Sequence, residues 1–321
     1  MFVLGTWNLE NLFRPGGDFG PADSAVYQEK LAALAATINA QAPDVLGVQE
    51  VGQPEALADL VALLDGDWHT TLSQHYDPHH PIRVAVVSRH PHTVVADTAA
   101  FPTQLSPVQG SDDPADTTTA MGRGVLAVTL QPVPGLDLTV AVLHLKSKLL
   151  SYPGTGGKTR FNPHDEGERA RYAAYALYRR AAEAVTARAT IDQLLNDQGD
   201  QVNLAVVGDL NDEPKAATTQ ILYGPPGSQI GTTGYQRPDQ GDATRLFNLA
   251  PLIPEAERFS RVYQGQPELI DHILTSHALV SRVGEVHAMT SRPLPSIGDN
   301  PNTRRTAHDS DHAPLFAHLN L

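Results

Sequence analysis

The chain has 321 residues, 41% of them hydrophobic and 18% charged, a globular composition that excludes a disordered chain, and no apolar run approaches the roughly 18 residues a membrane helix needs. With no cysteine, disulfides, thiolate metal sites and cysteine nucleophiles are excluded together, so any metal must be held by oxygen or imidazole. A net charge of -13 argues against a protein whose whole surface grips nucleic acid.

The first strand is FVLGTWN (2–8), ending at Asn8; no basic or apolar leader precedes it, which points to the cytoplasm. Helical spacing follows in YQEKLAALAATINAQ (27–41), then the strand DVLGVQEV (44–51), which carries Glu50, and the helix PEALADLVALL (54–64). RVAVVS (83–88) is a strand. A loop by composition covers 98–123 and ends at Arg123 in MGRG, ahead of the strand GVLAVTL (124–130). LDLTVAVLHL (136–145) brings His144 to a strand end, with Lys146 and Lys148 just beyond. After a loop over 150–165, a long helix over 166–197 places Leu177, Ala181, Ala184, Ile191 and Leu195 at helical spacings. VNLAVVGDL (202–210) ends in Asp209 with Asn211 beside it, and a loop covers 222–243. LIDHILTS (269–276) contains Asp271, another loop covers 291–309, and Asp311 and His312 stand before the closing strand APLFAHL (313–319). Strands and helices alternate, but several strand pairs are joined by short turns, so the sheets should be mixed. No loop separates two self-sufficient halves and no repeat is visible, so residues 1–321 read as one domain.

Two motifs mislead. PGTGGKT (153–159) has the ending of a phosphate-binding loop, but Tyr152 stands where its first glycine belongs and Asn162-Pro163 breaks any following helix. His75, His79 and His80 in QHYDPHHP suggest a metal face, but Pro78 forbids the helix, which leaves an exposed loop. Between residues 145 and 190 nine Lys or Arg face four acids, a local excess open to two readings: a solvated helix face, or a positive flank beside a phosphate site.

One polar residue at a strand end is usually a cap. Asn8, Glu50, His144, Asp209, Asn211, Asp271, Asp311 and His312 together are harder to dismiss, because strand ends on one side of a sheet converge in space. The residue types fit one reaction. Carboxylates with an amide oxygen suit Mg²⁺; an acid two residues from an amide on one strand face activates and orients a water; imidazoles stabilise charge on phosphoryl oxygens. An acid such as Asp271 against His312 keeps it a cation.

In order along the chain, TWNLENL, GVQE, HLKSK, GDLND, LIDHIL and SDHAPL resemble the motifs of the endonuclease/exonuclease/phosphatase superfamily, from residue 6 to 315. The resemblance implies a deoxyribonuclease-like α/β fold, a four-layer α/β/β/α sandwich of two mixed β-sheets, with a Mg²⁺ or Mn²⁺ site at one edge. It implies Glu50 as the principal metal ligand with Asn8 and Asp311 nearby. Asp209 would position or deprotonate the attacking water beside Asn211. His312, paired with Asp271, would contact the scissile phosphate, and His144 would be a second contact or acid. Arg123, Lys146 and Lys148 are candidate phosphate binders. HLKSK is most similar to the nuclease branch, so the expected activity is a divalent-metal-dependent phosphodiesterase acting on nucleic acid or another phosphodiester. A phosphatase or phosphodiesterase for a small molecule or lipid headgroup is the alternative, favoured by the net charge and an aromatic content of only 6%. A catalytically silent binding module is a third reading. No obligate protein partner is evident.

Overall fold

The computed structural model describes residues 1–223, 243–289 and 293–321. Most of the 222–243 loop, and residues 291 and 292 of the 291–309 loop, lie outside the described residues.

Twelve strands form two six-stranded sheets. In chain order they are β1 (Phe2–Leu12), β2 (Val45–Val51), β3 (His69–Leu72), β4 (Arg83–Ser88), β5 (His92–Ala100), β6 (Ala120–Val133), β7 (Leu136–His144), β8 (Leu204–Asp209), β9 (Leu246–Asn248), β10 (Asp271–Ser276), β11 (Val283–Ala288) and β12 (Leu315–Leu319). The first sheet runs β11-β12-β1-β2-β4-β3 and the second β9-β10-β8-β7-β6-β5. Each is mixed, with one parallel pair: β1 with β2, and β7 with β8. The principal helices are α1 (Ser24–Gln41), α2 (Pro54–Val61) and α3 (Glu166–Leu195).

Alternation along the strands explains the layers. Val45, Val84 and Val86 of the first sheet pack against Val128, Val140, Val142 and Val207 of the second, forming a core between the sheets. The intervening Leu46, Val48, Ala85 and Val87 point the other way, onto Leu31, Leu34 and Ile38 of α1 and Leu57 and Leu60 of α2. Ala127, Ala141, Leu143 and Val206 meet Ala184, Ala187, Ile191 and Leu195 of α3. A side-chain period of two therefore buries both faces of each sheet and sets helix, sheet, sheet and helix in that order. At Gly47 the sheets approach so closely that a Cβ would lie 2.5 Å from Val207 Cγ2.

Several elements depart from the sequence reading. β1 continues four residues past Asn8, and β6 begins at Ala120, inside the stretch expected to be loop. β3, β5, β9 and β11 lacked a strong apolar run: β3 and β5 are edge strands with much of their surface exposed. The α1 cap is Asp23, whose carboxylate accepts from Ala25 N at 2.7 Å; Asp165 caps α3 by accepting from Glu168 N at 2.8 Å. Among the described residues no helix is long and apolar enough to cross a membrane.

Candidate active site

The second sheet sets three polar residues in one row. In β8 Asp209 stands opposite His144 of the parallel neighbour β7 and opposite Asp271 of the antiparallel neighbour β10. All three are buried. Gly208 permits the row: its φ is +152°, and a Cβ there would lie 2.0 Å from Leu143 O.

The first sheet contributes Asn8 and Glu50 through broken pairing. The β1–β2 register shifts between Asn8 and Leu12, and the β2–β4 register between Val48 and Val51. Within these bulges Glu10, Asn11 and Glu50 take left-handed φ of 49°, 53° and 62°. Such backbone costs roughly 1–3 kcal/mol per residue, and bulges re-aim side chains. Here they turn Glu50 toward the second sheet. Asn8 Nδ2 donates to Glu50 Oε1 at 3.1 Å and to Asp209 Oδ2 at 3.0 Å, bridging the sheets, while Asn11 N donates to Glu50 Oε2 at 2.8 Å. The Asn8 amide oxygen accepts from Glu10 N at 2.9 Å, so it is Nδ2, not the expected oxygen, that faces the carboxylates.

The SDH turn is stitched onto β1. Ser310 Oγ donates to Asn8 O at 2.6 Å and accepts from His312 N at 3.0 Å; Trp7 Nε1 donates to His312 O at 2.8 Å. Asp311 N donates to Glu10 Oε2 at 2.9 Å, and the Arg304 guanidinium grips the same carboxylate with Nε at 2.5 Å and Nη2 at 2.7 Å. Lys30 Nζ donates to Glu10 O. Burial, then the charge of Asp311, raises Glu10 to about 7 against the pull of Arg304 and Lys30. His312 is thereby delivered to the row, with Nδ1 2.7 Å from Asp271 Oδ2 and Nε2 4.0 Å from Asp209 Oδ2.

The two imidazoles differ in charge. Burial alone would lower His312, but the charges of Asp271, Asp311 and Asp209 and the bond to Asp271 carry it to about 10, so it is a cation at neutral pH. Burial and the charges of Arg123 and His312 push His144 well below its ordinary value, so it is neutral. Its Nε2 lies 3.5 Å from Asp209 Oδ2 and 4.0 Å from Glu50 Oε1. Asp209 is raised to about 7 by burial and by the charge of Asp271, opposed by His312, Arg261 and Asn8. Asn211 holds Asp209 from the main chain, its N donating to Asp209 Oδ1 at 2.8 Å. Its side chain turns away to Leu145 O at 3.0 Å, because the strand stops at Asp209 and Asn211 is left-handed with φ 53°. The expected two-residue alternation therefore does not extend to it.

Among the three candidate phosphate binders, Arg123 keeps a buried Nε without a partner, and its charge acts on His144. Lys146 Nζ instead donates to Ser147 O at 3.1 Å and Leu149 O at 3.2 Å. Lys148 Nζ lies between Asp212 Oδ1 and Glu268 Oε1, 3.4 Å from each. The arginines of the basic stretch are paired as well: Arg169 with Glu166 at 2.6 Å, Arg171 with Asp112 at 2.8 Å, Arg179 with Glu183 at 3.1 Å, Arg180 with Asp212 at 3.3 Å. Arg160 pairs with Glu168 and Arg188 with Asp192. The local positive charge is thus largely offset in place.

Sequence reasoning missed five residues around the site: Glu10, Lys30, His80, Arg261 and Arg304. Glu10 had a signal, since it lies two residues from Asn8 on the same strand. His80 corrects the exposed-loop expectation. Its Nε2 lies 2.9 Å from Asn11 Oδ1, and its ring stands 4.7 Å from that of Phe19 and 6.3 Å from that of Phe13, so the loop folds back beside Glu50. His79 is exposed, as expected, and His75 Nε2 lies 3.1 Å from Asp97 O.

A sequence model of the endonuclease/exonuclease/phosphatase family matches residues 5–312. The chain belongs to that family. Its members are phosphoric ester hydrolases, generally dependent on a divalent metal. No curated protein sequence matches this family member. Among solved structures it is similar to the human nocturnin catalytic domain with bound sulfate, at 18% identity and TM-score 0.55, covering 98% of this chain and 93% of that one. It is also similar to truncated TDP2 from Caenorhabditis elegans, at 13% identity and TM-score 0.57, covering 99% and 97%. A third is a mannosyl-6-phosphatase from Bacteroides thetaiotaomicron, at 14% identity and TM-score 0.56, covering 100% of each. At these identities the likeness shows the deoxyribonuclease-like fold alone.

The residues fit a divalent metal. Asp209, Asp271 and His312 bring side-chain atoms all within 4.8 Å of one another, but a cationic His312 has no lone pair to give, so the donors are carboxylate oxygens, with Glu50 across Asn8. Burial first, and then the charge of Asp271, raises Asp209; a hard cation would offset the second of these, and oxygen donors dominate the set.

Proposed function

We propose that this family member is a divalent-metal-dependent phosphodiesterase, a nuclease in the sense that it cleaves nucleotide diesters, with a footprint of few phosphates. The observation that carries the reading is the setting of Asp209. Its Oδ2 faces Asn8 Nδ2 at 3.0 Å, neutral His144 at 3.5 Å and cationic His312 at 4.0 Å. A carboxylate raised to about 7 is poised to take a proton from water, and its partner Asn211 N–H fixes the other oxygen. His312, kept cationic by Asp271, donates toward the phosphoryl oxygens as charge builds there. His144, neutral and buried, has an unpartnered Nδ1 and serves as a second phosphate contact. Arg123 brings an uncommitted guanidinium. Mg²⁺ or Mn²⁺ would be held by Glu50 with Asp311 and Asn8 nearby, where it would polarise the phosphoryl group and acidify water.

Two observations support a nucleotide substrate of short footprint. The rings of His80 and Phe19 flank the Glu50 side, with Phe19 and Tyr76 exposed, which suits a base. The six arginines of the basic stretch and Lys148 are paired with acids, which leaves little free charge for a long polyanion. That same pairing favours the second reading, a phosphatase for a small phosphorylated molecule.

Hydrolysis of bis(p-nitrophenyl) phosphate, p-nitrophenyl phosphate, short oligonucleotides and plasmid, with Mg²⁺ or Mn²⁺, separates them. The diester and oligonucleotides should be cut, with log kcat/KM falling against log salt at a slope of about -0.7 to -1.4, as for one or two single-strand phosphates. Cleavage of the monoester alone would replace the first reading with the second.

A further inference from the structure

Arg261 is drawn into the site by its neighbours. It follows Ser260, whose Oγ accepts from Asp271 N at 3.1 Å and whose carbonyl accepts from Ala313 N at 2.7 Å. The residue before Arg261 thus ties together the main chains on either side of the Asp271–His312 pair. The Arg261 side chain is 12% exposed, and its Nη2 donates to Glu268 Oε2 at 2.7 Å. Its Nε is buried with no partner. The other Glu268 oxygen, Oε1, holds Lys148 at 3.4 Å, so one carboxylate fixes two cations. The Arg261 charge acts on Asp209 and feels Asp311.

A buried donor without an acceptor is costly unless a ligand completes it. Two such guanidinium groups, of Arg123 and Arg261, each act by their charge on Asp209: Arg123 also interacts with Glu50 and His144, and Arg261 with Asp311. The four site carboxylates do not bond Arg261, so its Nε donor is unspent. The lysines of HLKSK, the obvious phosphate contacts by sequence, are turned to other partners. We propose that Arg261 is a substrate-phosphate contact, holding a non-bridging phosphoryl oxygen from the Asp271–His312 side, with Glu268 as the residue that positions it. This deepens the phosphoester reading and rests on it. An arginine suits the role because its planar fork can bond Glu268 on one edge and a phosphoryl oxygen on another.

The test compares wild type with Arg261→Lys, Arg261→Gln and Glu268→Gln. It reads bis(p-nitrophenyl) phosphate hydrolysis with Mn²⁺, its inhibition by inorganic phosphate, and the thermal shift that phosphate produces. Arg261→Gln should lower kcat/KM and raise the phosphate inhibition constant, each about 10- to 100-fold, with Arg261→Lys between. Glu268→Gln should raise the phosphate constant less, and Arg261→Gln, which removes a charge that lowers Asp209, should move the acid limb of the pH profile of kcat upward while Arg261→Lys, which keeps the charge, should not. If Arg261→Gln is too unstable to assay, Arg261→Lys carries the comparison. An active wild type whose phosphate constant and thermal shift are unchanged in both Arg261 variants would overturn the proposal while leaving the hydrolase reading intact. A wild type inactive on every phosphoester removes the hydrolase reading instead, and the phosphate thermal shift still judges Arg261.

Discussion

His312 Nδ1, delivered by the turn before the last strand of the first sheet, stands 2.7 Å from Asp271 Oδ2 of the second, and both residues are buried. An acid so placed fixes which ring nitrogen carries the proton and holds the ring as a cation. Asp271→Asn should therefore lower kcat by about 10²- to 10⁴-fold with the fold intact. Steady-state kinetics alongside circular dichroism would check it. A variant with near-normal kcat would mean that His312 does not act as a cation.

Glu50 is the carboxylate most open to ligands at the site, with a side chain 18% exposed against 2% for Asp209. Glu50→Gln should raise the metal concentration for half-maximal activity on the order of tenfold or more, and chelation should abolish wild-type activity reversibly. Titrating Mn²⁺ against activity for both proteins measures this. An unshifted midpoint would move the metal to other ligands.

Arg304 joins the segment before the last strand to Glu10 of the first strand by two bonds to one carboxylate, and that carboxylate holds Asp311 N. Arg304→Gln should cost about 2 kcal/mol of stability and several-fold in kcat, since the turn carrying Asp311 and His312 loses its anchor. Urea denaturation and kinetics on one preparation give both numbers. Lost stability with unchanged kcat would show that the turn is held without this clamp.

Lys146 is lowered from 10.5 to about 7, by burial first and then by the charges of Arg123 and Arg179. The unfolded chain binds that proton more readily, so between pH 7 and 10.5 this group makes folding less favourable as pH falls, and below about 7 its effect levels off. Lys146→Met should accordingly gain stability relative to wild type on going from pH 9.5 to pH 7. Melting temperatures of the two proteins at both values provide the check. A difference independent of pH would mean that Lys146 is charged throughout.

Much of the site was legible because strand ends are marked by composition: an apolar run that stops at Asn8, Glu50, His144 or Asp209 announces both the strand and the residue it delivers. The order of layers was legible only through the motif resemblance, because Val84 to Val87 are apolar at every position and only their packing tells the two faces apart. The rest depended on contacts no local pattern encodes. His80 lies in a Pro-rich loop, and only its packing on Phe13 and Phe19 brings it to Asn11. Arg261 sits in a three-residue strand with no apolar run, and its place comes from Ser260. Lys146 and Lys148 carry the motif but not the direction, because the neighbouring carbonyls of Ser147 and Leu149 claim the first ammonium group and acids distant in sequence the second. The bulges that turn Glu50 are invisible in GVQE, since left-handed backbone at a glutamate has no sequence signature.

His144, Asp209 and Asp271 face one another as paired residues across three neighbouring strands. A slip of one residue in either pairing would carry an acid or an imidazole to the opposite side of the sheet. Turnover in this protein is therefore a proofreader of strand alignment. A sheet assembled one step out of phase would keep much of its hydrogen bonding, and its spectrum would look folded, yet it would be chemically silent. In a population recovering from denaturation, the return of activity should trail the return of secondary structure wherever chains search among registers before locking.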